Sequence, residues 1–229
     1  QRQMCIRDRI SGLNIYQNDD AGIQLHIGGR GLDPNRTSNF NTRQNSYDIS
    51  ADVLGYPESY YTPPAEAIKE IQIVRGAASL QYGTQFGGLI NFVLKEPPNK
   101  KIDAVIRNTI GSNNQYTNFT SIGGKKNKFS FYAFYNHKRG DGFRNNSNYK
   151  SNNVYVHLKK NLSNKSELSG EVTYMNYLAK QAGGLSDRMF INNPMQSNRS
   201  RNWFELDWLL YNFKFKHRFN EKTNLSFSL

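Results

Sequence analysis

The chain has 229 residues, 37% of them hydrophobic, with a formal net charge of +12 and a mean hydropathy of -0.75. Fourteen tyrosines and fourteen phenylalanines argue against disorder, and with no apolar run near the roughly 18 residues of a membrane helix, any spanning structure has to be a barrel. The charge is uneven: residues 1–98 hold nine Lys and Arg against ten Asp and Glu, residues 99–229 hold 21 against eight, and the latter are dispersed among turns and alternate strand positions instead of forming the basic block of a nucleic-acid binder.

The first nine residues, Gln1 to Arg9, lack the apolar core of a signal peptide. They resemble translated adapter sequence and are set aside as a non-native scar. They contain Cys5, the sole cysteine, so no disulfide, thiolate metal site or cysteine nucleophile is expected in the rest.

Residues 10–69 are dense in turn chemistry, with Asn18-Asp19-Asp20, Gly28-Gly29-Arg30-Gly31, Asp33-Pro34-Asn35 and Gly55-Tyr56-Pro57 separating short strands such as Leu25 to Ile27. Thr62-Pro63-Pro64 before Ala65 to Glu70 predicts a short helix capped by Thr62, with Glu66 near its positive end. From Glu70 to Lys95 the pattern predicts a strand at Ile71 to Val74, a helical turn at Ala77 to Gln81, a glycine corner and a second strand at Leu89 to Leu94. Gly76, Gly83, Gly87 and Gly88 imply a backbone folded tightly on itself. The expectation for residues 10–98 is a small α+β body.

From residue 99 the period becomes two. Candidate strands run over Ile102 to Ile110, Tyr116 to Gly123, Phe129 to His137, Asn153 to Lys160, Glu167 to Leu178, Tyr211 to Phe219 and Asn224 to Leu229. In the clearest, Tyr211, Phe213, Phe215 and Phe219 fall on one face, Asn212, Lys214, Lys216 and Arg218 on the other, and His217 interrupts the pattern. Short turns at 124–127, 161–165 and 220–223 fall at one end, and the long polar loops 138–152 and 179–206 at the other, the asymmetry of an outer-membrane barrel. A soluble sandwich also alternates, but strands of about ten residues exceed the usual five or six, and aromatics dominate the apolar face.

Arg30-Gly31, the run Ile71 to Gly83 through Arg75-Gly76 and Tyr82-Gly83, and Gly87-Gly88-Leu-Ile-Asn91 resemble the plug motifs of TonB-dependent outer-membrane receptors, as does Gly140-Asp-Gly-Phe-Arg144 in the first long loop. Arg30-Gly-Leu-Asp33-Pro-Asn-Arg36 and the segment from Gln44 to Pro57 are similar to ferric-dicitrate-type receptors, although Tyr47-Asp48-Ile49-Ser50 stands where many plugs carry Asp-Gly-Val-Pro. The resemblance implies an N-terminally truncated α+β plug followed by the first seven antiparallel strands of an incomplete transmembrane β-barrel, since a barrel of about 22 strands needs far more chain. It further implies TonB-dependent uptake of a ferric chelate, siderophore or other small nutrient across the outer membrane, with the plug gating the lumen. Energy would come from the TonB–ExbB–ExbD complex through a preceding segment, and the surrounding partner would be outer-membrane lipid. Arg30 and Arg75 match plug arginines that lock onto barrel glutamates.

For an anionic chelate, Arg36, Arg43, Gln44 and Tyr47 lie where the family places apical plug loops, and Lys138, Arg139 and Arg144 extend the positive field. An equally open reading has Arg36 and Arg43 fastening the loop to Asp33 and Asp48. Gly28-Gly-Arg-Gly31 is not a phosphate loop, the four histidines lack metal-site spacing, and Ser79 is not in a nucleophile elbow, so no enzyme, metal or cofactor is expected. A gated transporter and a barrel or sandwich adhesin without transport remain, and the lumen-filling plug motifs discriminate between them.

Overall fold

The computed structural model describes residues 12–16, 26–29, 31–51, 58–75, 82 and 85–229. The chain divides into two compact units, Gln1–Lys95 and Glu96–Leu229. In the first, β1 (Leu13–Tyr16) pairs antiparallel with β2 (His26–Gly29). A second sheet has the order β4-β3-β6-β5, from β3 (Phe40–Gln44), β4 (Tyr47–Asp48), β5 (Ile68–Val74) and β6 (Gly88–Leu94). β3 and β6 are parallel and the other two pairings antiparallel. Ile27, Phe40, Ile49, Tyr61, Ile90 and Phe92 form the core of this unit.

The helix expected at 65–70 is a correction. Only Ala65–Ala67 form a 3-10 turn, and the chain enters β5 at Ile68. Backbone pairing of Ile68 and Glu70 with Leu94 and Val93 of β6 outcompetes the local helical preference. Thr62 caps nothing; Pro64 precedes the turn, and the Thr62 hydroxyl makes no hydrogen bond. Among the described residues the first unit contains 3-10 turns and no α-helix. The helical turn expected at 77–81 lies outside the described residues. The glycine corner is tight where it is described: Gly88 has φ +137°, and a Cβ on Gly87 would lie 2.4 Å from the Asn39 carbonyl.

The second unit is a seven-stranded antiparallel meander in which neighbours in sequence are neighbours in space. Its strands are β7 (Asp103–Ile110), β8 (Tyr116–Lys126), β9 (Phe129–Gly140), β10 (Tyr149–Asn161), β11 (Ser166–Lys180), β12 (Trp203–Arg218) and β13 (Asn224–Ser228). The long loops are shorter than expected because β9 to β12 run on into them; β12 begins eight residues before Tyr211. The second loop holds one short helix, α1 (Asp187–Asn192), capped by the Ser186 hydroxyl accepting from Met189 N–H at 3.4 Å.

One face of this sheet is apolar and exposed, and the opposite face is buried and mixes aromatics such as Phe134 and Tyr155 with polar side chains. Tyr211 is 71% exposed, Leu209 64% and Val172 47%, whereas Thr173, Glu171 and Asn212 on the opposite face are 5% exposed or less. Cross-strand register places Phe215 beside Phe227, Phe213 beside Gly170, Tyr211 beside Val172, and Val172 beside Val156 on the exposed apolar face. Lys214, Lys216 and Arg218 stand on the other, polar face, with Ser169 and Glu167. His217 does not interrupt the apolar face. Its ring stacks on Phe215 at 6.4 Å, meets Phe219 edge-on at 4.5 Å, and its Nδ1 lies 2.8 Å from the Ser166 hydroxyl.

Candidate functional site

The candidate plug residues surround the β3–β4 hairpin. Asn45 (φ 46°) and Ser46 (φ 75°) form its two-residue turn, both in the left-handed region that favours Asn-containing tight hairpins. The turn is anchored to β6: Asn45 N–H donates to Phe92 O, Leu94 N–H donates to Asn45 Oδ1, and Ser46 N–H donates to Asn91 Oδ1, all at 2.9–3.0 Å.

Arg43 is committed to this framework. Its guanidinium donates to Asn41 Oδ1 (2.9 Å), Ser46 O (2.7 Å) and Tyr82 O (2.8 Å), lies 5.0 Å from the Tyr82 ring, and is 3.9 Å from Asp48. Gln44 is fully buried, donating to the Tyr47 hydroxyl and accepting from the Tyr61 hydroxyl at 3.1 Å. Gln44 is thus closed off from solvent, and three of the five N–H groups of Arg43 are committed to the hairpin and Tyr82. The fastening role weighed for Arg43 against Asp48 is therefore what its geometry supports, with Tyr82, Asn41 and Ser46 carrying more of it.

Arg36 differs. Its side chain is 45% exposed and, among the described residues, forms one ion pair, Nη1 to Glu58 Oε2 at 3.2 Å; the anticipated partner Asp33 instead accepts from Asn35 N–H at 2.9 Å. Its backbone is left-handed (φ 48°), as is that of Thr37 (φ 60°). The conformation is held by Arg36 N–H donating to His26 Nδ1 and by Arg36 O accepting from Ser59 N–H, both at 2.9 Å. Glu58 also accepts from the Tyr60 hydroxyl, whose pKa is pushed up to about 12 by burial first and by the Glu58 hydrogen bond and charge second. Glu58, Tyr60 and His26 were not singled out from the sequence, because nothing local marks them as partners of Arg36. Arg75 follows β5 with an exposed side chain, and Arg30 lies outside the described residues.

In the second unit, Lys138 and Arg139 point to opposite faces of β9. Lys138 pairs across to Ser151 on the polar face, and Arg139 pairs to Lys150 on the apolar-face side with its guanidinium 5.6 Å from the Tyr116 ring. Arg144 is a brace between the two long loops, donating to Gly183 O (2.7 Å) and twice to Gln196 O (2.8 and 3.1 Å). Asn146 reinforces it by donating to Gln181 O at 3.1 Å. On the polar face Glu171 accepts from the Tyr155 hydroxyl at 2.9 Å, and Glu167 pairs with Lys159 at 2.9 Å.

No family model matches the chain, and no curated protein matches it in sequence. Solved structures do. The chain is similar to the ferric citrate transporter FecA in its unliganded form, with 23% identity, 94% of this chain and 34% of that chain covered, and a TM-score of 0.82. It is similar to the FpvAI–pyocin S2 complex (16% identity, 93% and 28% covered, TM-score 0.70) and to the siderophore receptor PirA from Pseudomonas aeruginosa (15%, 96% and 40%, TM-score 0.64). The chain has the fold of these outer-membrane receptors and transporters. It spans about a third of the length of the FecA chain.

Proposed function

We propose that this chain supplies the plug and the first wall strands of a TonB-dependent receptor of the outer membrane, which takes up a small anionic ferric chelate of the ferric-dicitrate kind. The observation that carries the reading is the exposed aromatic and aliphatic face of the second unit's sheet, backed by a buried face that mixes aromatics such as Phe134 and Tyr155 with polar groups such as Glu171, Thr173 and Asn212; an apolar face left open in this way suits a barrel wall against lipid. The agreement of fold with a ferric citrate transporter over nearly the whole chain supports the ligand class. The neighbours are transporters and receptors, which supports a non-enzymatic role.

Arg36 is the plug residue assigned to the chelate. Its exposed ion pair is worth at most about 1 kcal/mol, so a ligand carboxylate can replace Glu58 at small cost and gain a planar, bidentate donor. Arg43, Gln44 and Tyr47 set the shape of the adjoining hairpin, and Lys138 adds positive charge on the polar face. In this reading Arg30 and Arg75 keep the locking role that the family resemblance implies for them, and TonB–ExbB–ExbD supplies the energy for opening.

In the full-length receptor, Arg36→Ala is expected to weaken ferric citrate binding about tenfold, the loss of a charge-assisted hydrogen bond, with unchanged insertion into the outer membrane. Growth on ferric citrate as sole iron source reports transport. Unchanged affinity for every anionic chelate tested removes Arg36 from the site; loss of surface attachment without loss of uptake on deleting the receptor favours an adhesin.

A further inference from the structure

On the apolar face of the second unit, one transverse row departs from the aromatic and aliphatic pattern. Asn108, Asn118, His137, Asn152, Asn176 and Asp207 occupy matched register positions on six consecutive strands. Their side chains are tied laterally: Asn118 donates to Asn108 at 2.8 Å, His137 Nδ1 lies 2.9 Å from Asn152 Oδ1, and Asn152 donates to Asn176 at 3.0 Å. Tyr174 closes the row by donating to Asp207 at 2.8 Å. Polar groups satisfied by one another are the arrangement tolerated at the edge of hydrocarbon. The hairpin turn at Asn127 lies ten residues back along β9 from His137; at about 3.3 Å per residue and a strand tilt of about 40°, that separation corresponds to about 25 Å, the height of an apolar band. At β9 and its neighbour β10 the row therefore lies at the outer border of the lipid core.

One register step beyond that border, Arg139 of β9 and Lys150 of β10 stand directly opposite each other, both exposed. Like charges in this position repel, and no ion pair among the described residues includes either one. They line a groove of about 640 Å³ with Asn114, Tyr116, Asp141 and Asn148. The one carboxylate there, Asp141, accepts from the Asn114 amide; Glu205 stands in the same row beyond Leu178. Tyr116 buttresses Arg139 from the side away from Lys150.

We infer that this groove binds the phosphate of a lipid headgroup in the outer leaflet, with Arg139 and Lys150 sharing the anion and Tyr116 holding the guanidinium in place. The inference rests on the outer-membrane reading and uses a face of the sheet that the chelate site does not. A phosphate with more than one negative charge relieves the repulsion between the two cations at the height where headgroups lie, well within a Debye length of their charge.

The full-length receptor, reconstituted in phosphatidylcholine nanodiscs with and without phosphatidic acid, tests this by native mass spectrometry of retained lipid. Wild type is expected to retain phosphatidic acid over phosphatidylcholine. Arg139→Gln with Lys150→Gln lowers that retention about tenfold or more, as loss of two charge-assisted contacts requires, whereas Lys126→Gln with Lys160→Gln at the turn end leaves it unchanged. Arg139→Lys with Lys150→Arg restores it. Equal retention by wild type and the Arg139/Lys150 variant, in receptor that inserts normally, overturns the lipid site alone; failure of wild type to insert overturns the membrane reading beneath it.

Discussion

Tyr60, Glu58 and Arg36 form a small charge relay at the surface of the first unit. Because the folded chain holds the Tyr60 proton up to about 12 against an ordinary value of 10.0, it binds that proton more tightly than the unfolded chain does. The associated stability is complete below pH of about 10 and is lost as pH rises towards about 12. Alkaline unfolding of the receptor, followed with ultraviolet titration of tyrosinate, is expected to show a late-ionising amplitude that falls by one tyrosine in Tyr60→Phe. An undiminished late amplitude in that variant assigns it elsewhere. While Tyr60 stays protonated, Glu58 is shared between a hydroxyl and a guanidinium, which keeps Arg36 aimed yet releasable.

At the level of elements, the two long loops act as one. Arg144 gives three hydrogen bonds to two carbonyls of the second loop, and Asn145 N–H donates to Met195 O at 3.0 Å. A planar fork suits this bridging and an ammonium does not. Arg144→Ala is expected to destabilise the loop pair locally by about 2 kcal/mol. Hydrogen exchange then rises within 141–148 and 181–202 while β9 to β11 keep their protection, and Arg144→Lys rescues little. Equal exchange in wild type and Arg144→Ala would remove the brace. Under the proposed uptake role, an uptake defect in Arg144→Ala would report the shape of the loop pair and is not evidence of direct contact with the chelate.

For the whole molecule, the exposed apolar face of the second unit makes a demand that a soluble fold does not. Val172 lies in the middle of the apolar face, with Val156 and Tyr211 beside it. Val172→Arg is expected to cost about 2–4 kcal/mol in the full-length receptor inserted in vesicles, the cost of a cation near the bilayer midplane, measured by denaturant unfolding from the membrane. Lys216→Gln on the polar face is expected to be near neutral. A neutral Val172→Arg would mean that water, not lipid, meets this face.

The number and order of the antiparallel strands of the second unit, and which side chains share a face, were legible in the residues because they depend on local properties. Period-2 alternation fixes which side chains share a face, and Asn127 at φ 54° or the Asn220 to Thr223 segment closes a turn within a few residues. Strand ends were less legible: Glu205 and Asp207 break the apolar alternation, yet β12 continues through them because its backbone bonds to β11 regardless of side chain. What only tertiary structure decided were the long-range pairings. The parallel contact of β3 with β6 joins residues more than forty apart, and pairing with β6 turned half of an expected helix into strand. The same held for the arginines. Arg36, Arg43, Arg139 and Arg144 are one residue type with one charge, and an exposed ion pair, a half-buried brace, a cation set beside a tyrosine ring and a loop clamp are distinguished by the carbonyls, carboxylates and rings that distant segments bring to each.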